Sequence, residues 1–280
     1  MFKDPLQFLP QDKWIDLQNA FLADWPKGMS GYTVLETQKK LLKQGLGYGF
    51  QVYCPYGDYW NGMVAVNEKV DFYELIIQSP RDDTKKLEEA LRKTEIINWT
   101  RHIVLPFTPQ HIVECVRRAI QGNVNVEIGH ILPSEAFILD KQTPLFQYVS
   151  LPPNITFGIL SLDHVDLLDS TWPHRYPTST WYFELLIKTN NGYGLFLYDT
   201  LISWVLINES GTLSHMYTIE DYRQKGYAEL LLKFVCNIEL KSGGHVSAFC
   251  VKGNVNACKL YRKLGFKGLA GVAWCYLNPK

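Results

Sequence analysis

Arg223-Gln224-Lys225-Gly226-Tyr227-Ala228 fits the pattern R/Q-x-x-G-x-G/A and falls between a run of strand character and a run of helical character. A chain that turns there from strand into helix gathers several unpaired backbone N–H groups at the positive end of a helix dipole. Such a loop is an anion cradle. Gly226 and the small Ala228 let a phosphate-type group approach the backbone, so oriented amides meet the charge more than side chains do. Alone, the hexapeptide fits equally well a capped helix start with two convenient cations, Arg223 and Lys225.

A second motif follows downstream. Asn254-Val255-Asn256-Ala257-Cys258-Lys259-Leu260-Tyr261-Arg262-Lys263-Leu264-Gly265-Phe266 fits N-x-x-A-x-x-L-Y-x-x-x-G-F. Together the two motifs resemble the Gcn5-related N-acetyltransferase (GNAT) superfamily, in which the first grips the pyrophosphate of acyl-coenzyme A and the second flanks its pantetheine and thiol. The resemblance covers residues 152–280. Within it, Met216-Tyr217-Thr218-Ile219-Glu220-Asp221-Tyr222-Arg223, Ser203-Trp204-Val205-Leu206 and the stretch 162–172 look like the glycine N-acyltransferase family. That family carries a divergent N-terminal half of about this length, a second acyltransferase-like fold without its cofactor motif. Here that part of the match rests on length and on Asp24-Trp25-Pro26.

The resemblance implies an acyl-coenzyme A co-substrate, with an acetyl, longer or aromatic acyl group, and a small amine or amino-acid acceptor such as glycine. A thioester is activated enough for direct attack by an amine in a ternary complex, so neither a metal nor a covalent nucleophile is called for. The protein has to align the reactants, accept a proton from the amine and stabilise the departing thiolate. The last role falls to Tyr261, whose phenol is protonated at neutral pH. The cofactor contacts implied are the backbone of Met216 and Thr218 at a β-bulge, then the loop residues Arg223, Gln224, Lys225, Gly226, Tyr227 and Ala228, with Asn254 and Ala257 against pantetheine.

The proton acceptor departs from the family pattern: the glutamate expected about eleven residues before the loop arginine is Thr212. His215 and Glu209 lie nearby, and His215 has the titration range of a base. Water is the other acceptor. Thr212 at that place leaves open an arylalkylamine acceptor or a longer acyl donor. It also leaves a second class of function, a coenzyme A binding or sensor protein of weak or no turnover whose N-terminal half is an interaction module.

The elements that must position these residues follow from pattern. Residues 50–54, 62–66 and 72–78 read as a strand meander; Asp82-Asp83-Thr84 caps a helix carrying Leu87, Ala90 and Leu91; and Thr108-Pro109 opens another with Ile112, Val113, Val116 and Ile120 on one face. Leu151-Pro152-Pro153 punctuates the chain, which predicts domains at 1–151 and 152–280. The second domain reads as helices at 162–172 and 182–188, strands at 193–198, 203–208 and 213–219, then the loop, a helix with Leu230, Leu231, Phe234, Val235 and Ile238 on one stripe, a strand at 245–251, a helix at 256–264 and a strand near 272–276. The fold class expected is α/β (α+β), a GNAT fold in the C-terminal half beside a degenerate GNAT-like N-terminal half.

Composition narrows the alternatives. Over 280 residues, 28 Lys+Arg balance 28 Asp+Glu, which speaks against electrostatic binding to nucleic acid or an anionic membrane. The apolar runs are shorter than the ~18 residues that a spanning helix needs, so a soluble protein is expected. The six cysteines form no C-x-x-C pair and read as reduced thiols. Neither a secretory nor an Arg-rich transit signal is visible at Met1-Phe2-Lys3-Asp4-Pro5. A cytoplasmic location is expected, with a mitochondrial one implied by the family alone. Gly45-Leu46-Gly47-Tyr48-Gly49 precedes a strand and reads as a turn.

Overall fold

The computed structural model, which describes residues 3–69, 72–122 and 125–280, runs through one order of elements twice. The first pass is β1 (Leu6–Phe8), α1 (Trp14–Ala23), α2 (Met29–Lys43), β2 (Gln51–Pro55), β3 (Met63–Lys69), β4 (Phe72–Gln78), α3 (Lys85–Lys93), β5 (Ile103–Pro109), α4 (Gln110–Ala119) and β6 (Val126–Leu139). The second is β7 (Ile155–Ile159), α5 (Val165–Thr171), α6 (Thr180–Lys188), β8 (Gly192–Leu197), β9 (Thr200–Ile207), β10 (Leu213–Thr218), α7 (Tyr227–Lys241), β11 (Val246–Val251), α8 (Val255–Lys263) and β12 (Lys267–Pro279). Each is a strand, two helices, a three-strand meander, and then helix, strand, helix, strand.

The chain divides into two compact units, but the divide falls inside β6 and not at the proline pair. One unit is Met1–Ala136 with Val251–Gly253 and Leu269–Lys280; the other is Phe137–Cys250 with Asn254–Gly268. In the first unit the strand order is β1-β2-β3-β4-β5-β12-β6, so the last strand of the sequence completes the first sheet. The second unit orders β11-β10-β9-β8-β7, and the far end of β6 lies beside β11. A boundary read from Pro152-Pro153 sees only where a helix is forbidden. The exchange of final strands depends on pairing between distant segments, for which no local residue is a signal.

Packing explains the strands that pattern reveals. In β9, Trp204 and Leu206 enter one apolar cluster with Phe183, Leu186 and Leu168, while Val205 and Ile207 enter another with Leu231, Val235 and Tyr261. A strand covered on both faces reads as an unbroken apolar run. The first unit's core joins Leu75 and Ile77 of β4 to Leu87 and Leu91 of α3, Ile112 and Val116 of α4, and Cys275 and Leu277 of β12. Each such burial contributes about 1.5–3 kcal/mol.

The meander of β2, β3 and β4, the two helices after it and the elements from α5 to α8 follow the expected order. Thr84 sits at the N-cap of α3, but Asp83 supplies the hydrogen bond there, its Oδ1 accepting from Lys85 N at 3.1 Å. The strands β1, β5, β6 and β7 and the helices α1 and α2 have no counterpart in the pattern. β5 carries Pro106 and Pro109 and β6 carries Gly129 and Pro133, residues that punctuate a sequence locally and are tolerated when a neighbour supplies the pairing.

Candidate acyl-transfer site

The site begins at an irregularity in β10. Leu213 and Ser214 pair with Ile207 and Leu206 of β9, then Tyr217 and Thr218 pair with Trp204 and Ser203, so His215 and Met216 together face a single residue. This is the expected β-bulge, and His215 takes a left-handed backbone there with φ of 50°. On its other edge β10 meets β11 in parallel. Among the described residues their register is Leu213↔Ala248, after which the two strands part and open a cleft.

The loop beyond β10 enters α7 through two left-handed residues, Gln224 with φ of 61° and Gly226 with φ of 82°. Gly226 is the N-cap of α7, without a side-chain hydrogen bond to the first turn, and a Cβ built on it would meet nothing within 4 Å. The first amides of α7 have no intrahelical acceptor and lie at the positive end of the helix dipole. A concavity of about 260 Å³ lies there, lined by Thr218, Arg223, Gln224, Gly226, Tyr227 and Ala228 together with Tyr222, Glu229 and Leu260.

The two cations of the motif brace the loop. Arg223 Nε donates to Thr218 O at 3.0 Å, its guanidinium pairs with Glu220 at 3.0 Å and it lies over the Tyr217 ring. Lys225 Nζ donates to Asp221 O at 2.9 Å and lies over Tyr222. Glu229 puts a carboxylate in the first turn of α7, where it would oppose an incoming anion. Hydrogen bonds from Lys233 and Lys263 hold its pKa below the usual carboxylate value and offset that charge.

Across the cleft, Asn254 is the N-cap of α8, its Oδ1 accepting from Ala257 N at 3.2 Å. The same helix buries Cys258 and Tyr261. Tyr261 is 4% exposed, with its ring against Phe137 at 5.4 Å and Phe266 at 5.2 Å. Burial pushes its pKa up, and the neighbouring thiols Cys250, Cys236 and Cys258 push the same way, so the phenol keeps its proton throughout the neutral range. The sulfurs of Cys250 and Cys258 are 3.0 Å apart, and all six cysteines are buried thiols outside any disulfide.

Thr212, at the family's glutamate position, is 2% exposed and tied into a turn: its N–H and its hydroxyl each donate to Asn208 Oδ1 at 3.0 Å. His215 points toward α5 and α6, where its ring meets Trp172 at 5.0 Å, Phe183 at 5.2 Å and Tyr182 at 5.5 Å. The Tyr182 hydroxyl donates to Glu209 Oε2 at 2.6 Å, and Glu209 is 6% exposed. The structure thus joins His215 and Glu209 through Tyr182. No sequence signal marked Tyr182 for this place; Phe183, Leu186 and Ile187 make the same stretch an ordinary apolar helix.

Residues 192–275 match a family model described as FR47-like protein. The chain is 23% identical to mouse glycine N-acyltransferase over 215 residues, covering 70% of this chain and 71% of that one. Among solved structures, a Drosophila protein shares 18% identity with a TM-score of 0.85 over 98% of this chain and 99% of the other. A tandem GNAT protein from the clavulanic acid biosynthesis pathway shares 11% identity with a TM-score of 0.56 over 98% of each. The fold is that of the GNAT superfamily, present in two halves. In sequence, the chain resembles glycine N-acyltransferase.

Proposed function

We propose that the protein transfers an acyl group from a coenzyme A thioester to the nitrogen of a small amine, with glycine the acceptor suggested by its relative. The observation that carries this reading is the open amide cradle at Gly226 beside the His215–Met216 bulge. The pyrophosphate would rest on the first amides of α7, where Gly226 and Ala228 leave the backbone accessible and Gln224 turns the loop. Pantetheine would follow the cleft between β10 and β11, past the backbone of Met216 and toward the exposed N-cap residue Asn254 and Ala257. The carbonyl of Thr218 already accepts from Arg223, which leaves the bulge as the better donor and acceptor for the cofactor.

His215 would take the proton of the attacking amine. Tyr261 would donate a hydrogen bond to the departing thiolate. A phenol whose pKa lies above its ordinary value stabilises a thiolate without fully protonating it, because complete transfer to a thiolate of ordinary pKa near ~8.5 would be uphill. The test is a panel of amines, glycine and arylalkylamines included, against acetyl-, benzoyl- and long-chain acyl-coenzyme A, followed by release of free thiol. Amine-dependent release supports acyl transfer. Coenzyme A binding without release for any pair would overturn it.

A further inference from the structure

We propose that Glu209 and Tyr182 are positioning residues for His215, together fixing its ring and raising its affinity for the proton; this rests on the reading of His215 as the proton acceptor.

Three observations converge. The backbone of His215 is left-handed on a bulge, a conformation costly for a residue with a Cβ and concentrated where geometry serves function. Its half-buried ring packs against Trp172, Tyr182 and Phe183 in T-shaped contacts, with interplanar angles of 82°, 70° and 67°. Behind Tyr182 lies the buried carboxylate of Glu209, which accepts the phenolic proton in a short bond.

An imidazole half-covered by aromatic rings gives up part of its hydration when it becomes positive, an effect that opposes its action as a base. Two features oppose that. Aromatic π systems attract a cation, and the Glu209 charge, buried behind a single ring, acts through a medium that screens it less than water does. Tyr182 serves both: its ring touches His215 and its hydroxyl holds the carboxylate in place.

Of the other ionisable groups on the surrounding elements, Asp166 of α5 is exposed to water, and the rest have partners of their own. Asp169 of α5 accepts from the Ser179 hydroxyl and pairs with Arg175 at 3.5 Å, and Glu184 of α6 pairs with Lys188 at 2.8 Å. His174 lies against Trp172 at 6.2 Å, Tyr176 accepts from Trp181 Nε1, and Tyr217 of β10 stacks on Trp204. Glu209 is the carboxylate bonded to a ring that touches His215.

The experiment titrates His215 by NMR in protein carrying isotope-labelled histidine, with the signal assigned by its loss in His215→Gln. Parent, Glu209→Gln, Glu209→Asp and Tyr182→Phe are compared, and kcat is recorded against pH for each. Glu209→Gln should lower the His215 pKa by about one unit and move the acid limb of the kcat profile down equally. Its kcat at pH 7 should fall about tenfold while the KM for acyl-coenzyme A holds. Tyr182→Phe should shift both in the same direction by less, and Glu209→Asp should restore part of the effect. An unmoved His215 titration in a variant that melts like the parent would overturn the coupling. A titration that moves while the kcat profile stays fixed would instead overturn His215 as the proton acceptor, and the positioning role with it.

Discussion

Gly226 is the residue on which the cofactor reading is most exposed to test. Its φ of 82° suits glycine, and the space that a side chain would enter is open, as the proposed anion site requires. Gly226→Val should weaken coenzyme A binding at least 100-fold, read by calorimetry, with the circular dichroism spectrum unchanged; an affinity equal to the parent's would place the cofactor elsewhere. Arg223→Ala should cost less than tenfold, because its guanidinium is engaged with Thr218 O and Glu220 and the proposed phosphate site is built of backbone amides. For Tyr261→Phe, which removes one hydroxyl and little volume, kcat should fall about 10²-fold with acyl-coenzyme A affinity preserved. Undiminished turnover would remove the phenol from the reaction. The cradle was legible in the sequence because a left-handed N-cap before a helix demands a particular residue type at a fixed spacing. The His215 cluster was not. Trp172, Tyr182, Glu209 and His215 come from four separate places in the chain, and the bulge that turns His215 has the residues of an ordinary strand, Leu213-Ser214-His215-Met216-Tyr217-Thr218.

Among elements, the informative comparison is between the loop after β10 and its counterpart after β4. Both follow the third strand of a meander, and both strands run parallel to their next neighbour, β4 with β5 at Tyr73↔Ile103 and Glu74↔Val104. In the first unit the gap beyond that pairing is crossed by Gln78, whose Nε2 donates to Phe107 O at 3.4 Å, and Asp82 of the following loop is held by Lys27. No glycine lies in Ser79-Pro80-Arg81-Asp82-Asp83-Thr84. Carboxylates at a helix start do not by themselves exclude an anion, since α7 also begins with one, Glu229, paired with Lys233 and Lys263. The bridged cleft and the missing glycine remain, and they predict one coenzyme A per chain, with none bound by Gly226→Val. A calorimetric stoichiometry of two would show a second site in residues 1–148. Helices and strands with clear apolar periodicity were readable; β5 and β6 were hidden by prolines that their sheet neighbours accommodate, and β12 proved longer than its apolar centre.

For the molecule as a whole, buried thiols set an alkaline limit. Burial pushes Cys54 and Cys236 up to about 12 and Cys115 and Cys275 up to about 11. In the unfolded chain the same groups ionise near ~8.5, so above that pH the folded state binds more protons and stability falls as pH rises. The contribution is fully present below ~8.5 and is lost progressively toward the folded values, at about 2 kcal/mol between pH 8 and 10 for each thiol that stays protonated in the fold. Urea midpoints under reducing conditions should drop markedly from pH 8 to pH 10. Equal midpoints would mean that these thiols ionise in place. The exchange of final strands has a consequence of another kind, for the chain as it is made. Translation proceeds from the N-terminus, so the first unit leaves the ribosome with α4 and β6 complete but with the place between β5 and β6 vacant, because its occupant, β12, is encoded after the elements of the second unit. Until residues 269–280 emerge, two strands present unpaired backbone edges of the sort that invite wrong partners. Of the two units, the one whose synthesis begins first is thereby the one whose sheet can be completed only after the other's strands have been made.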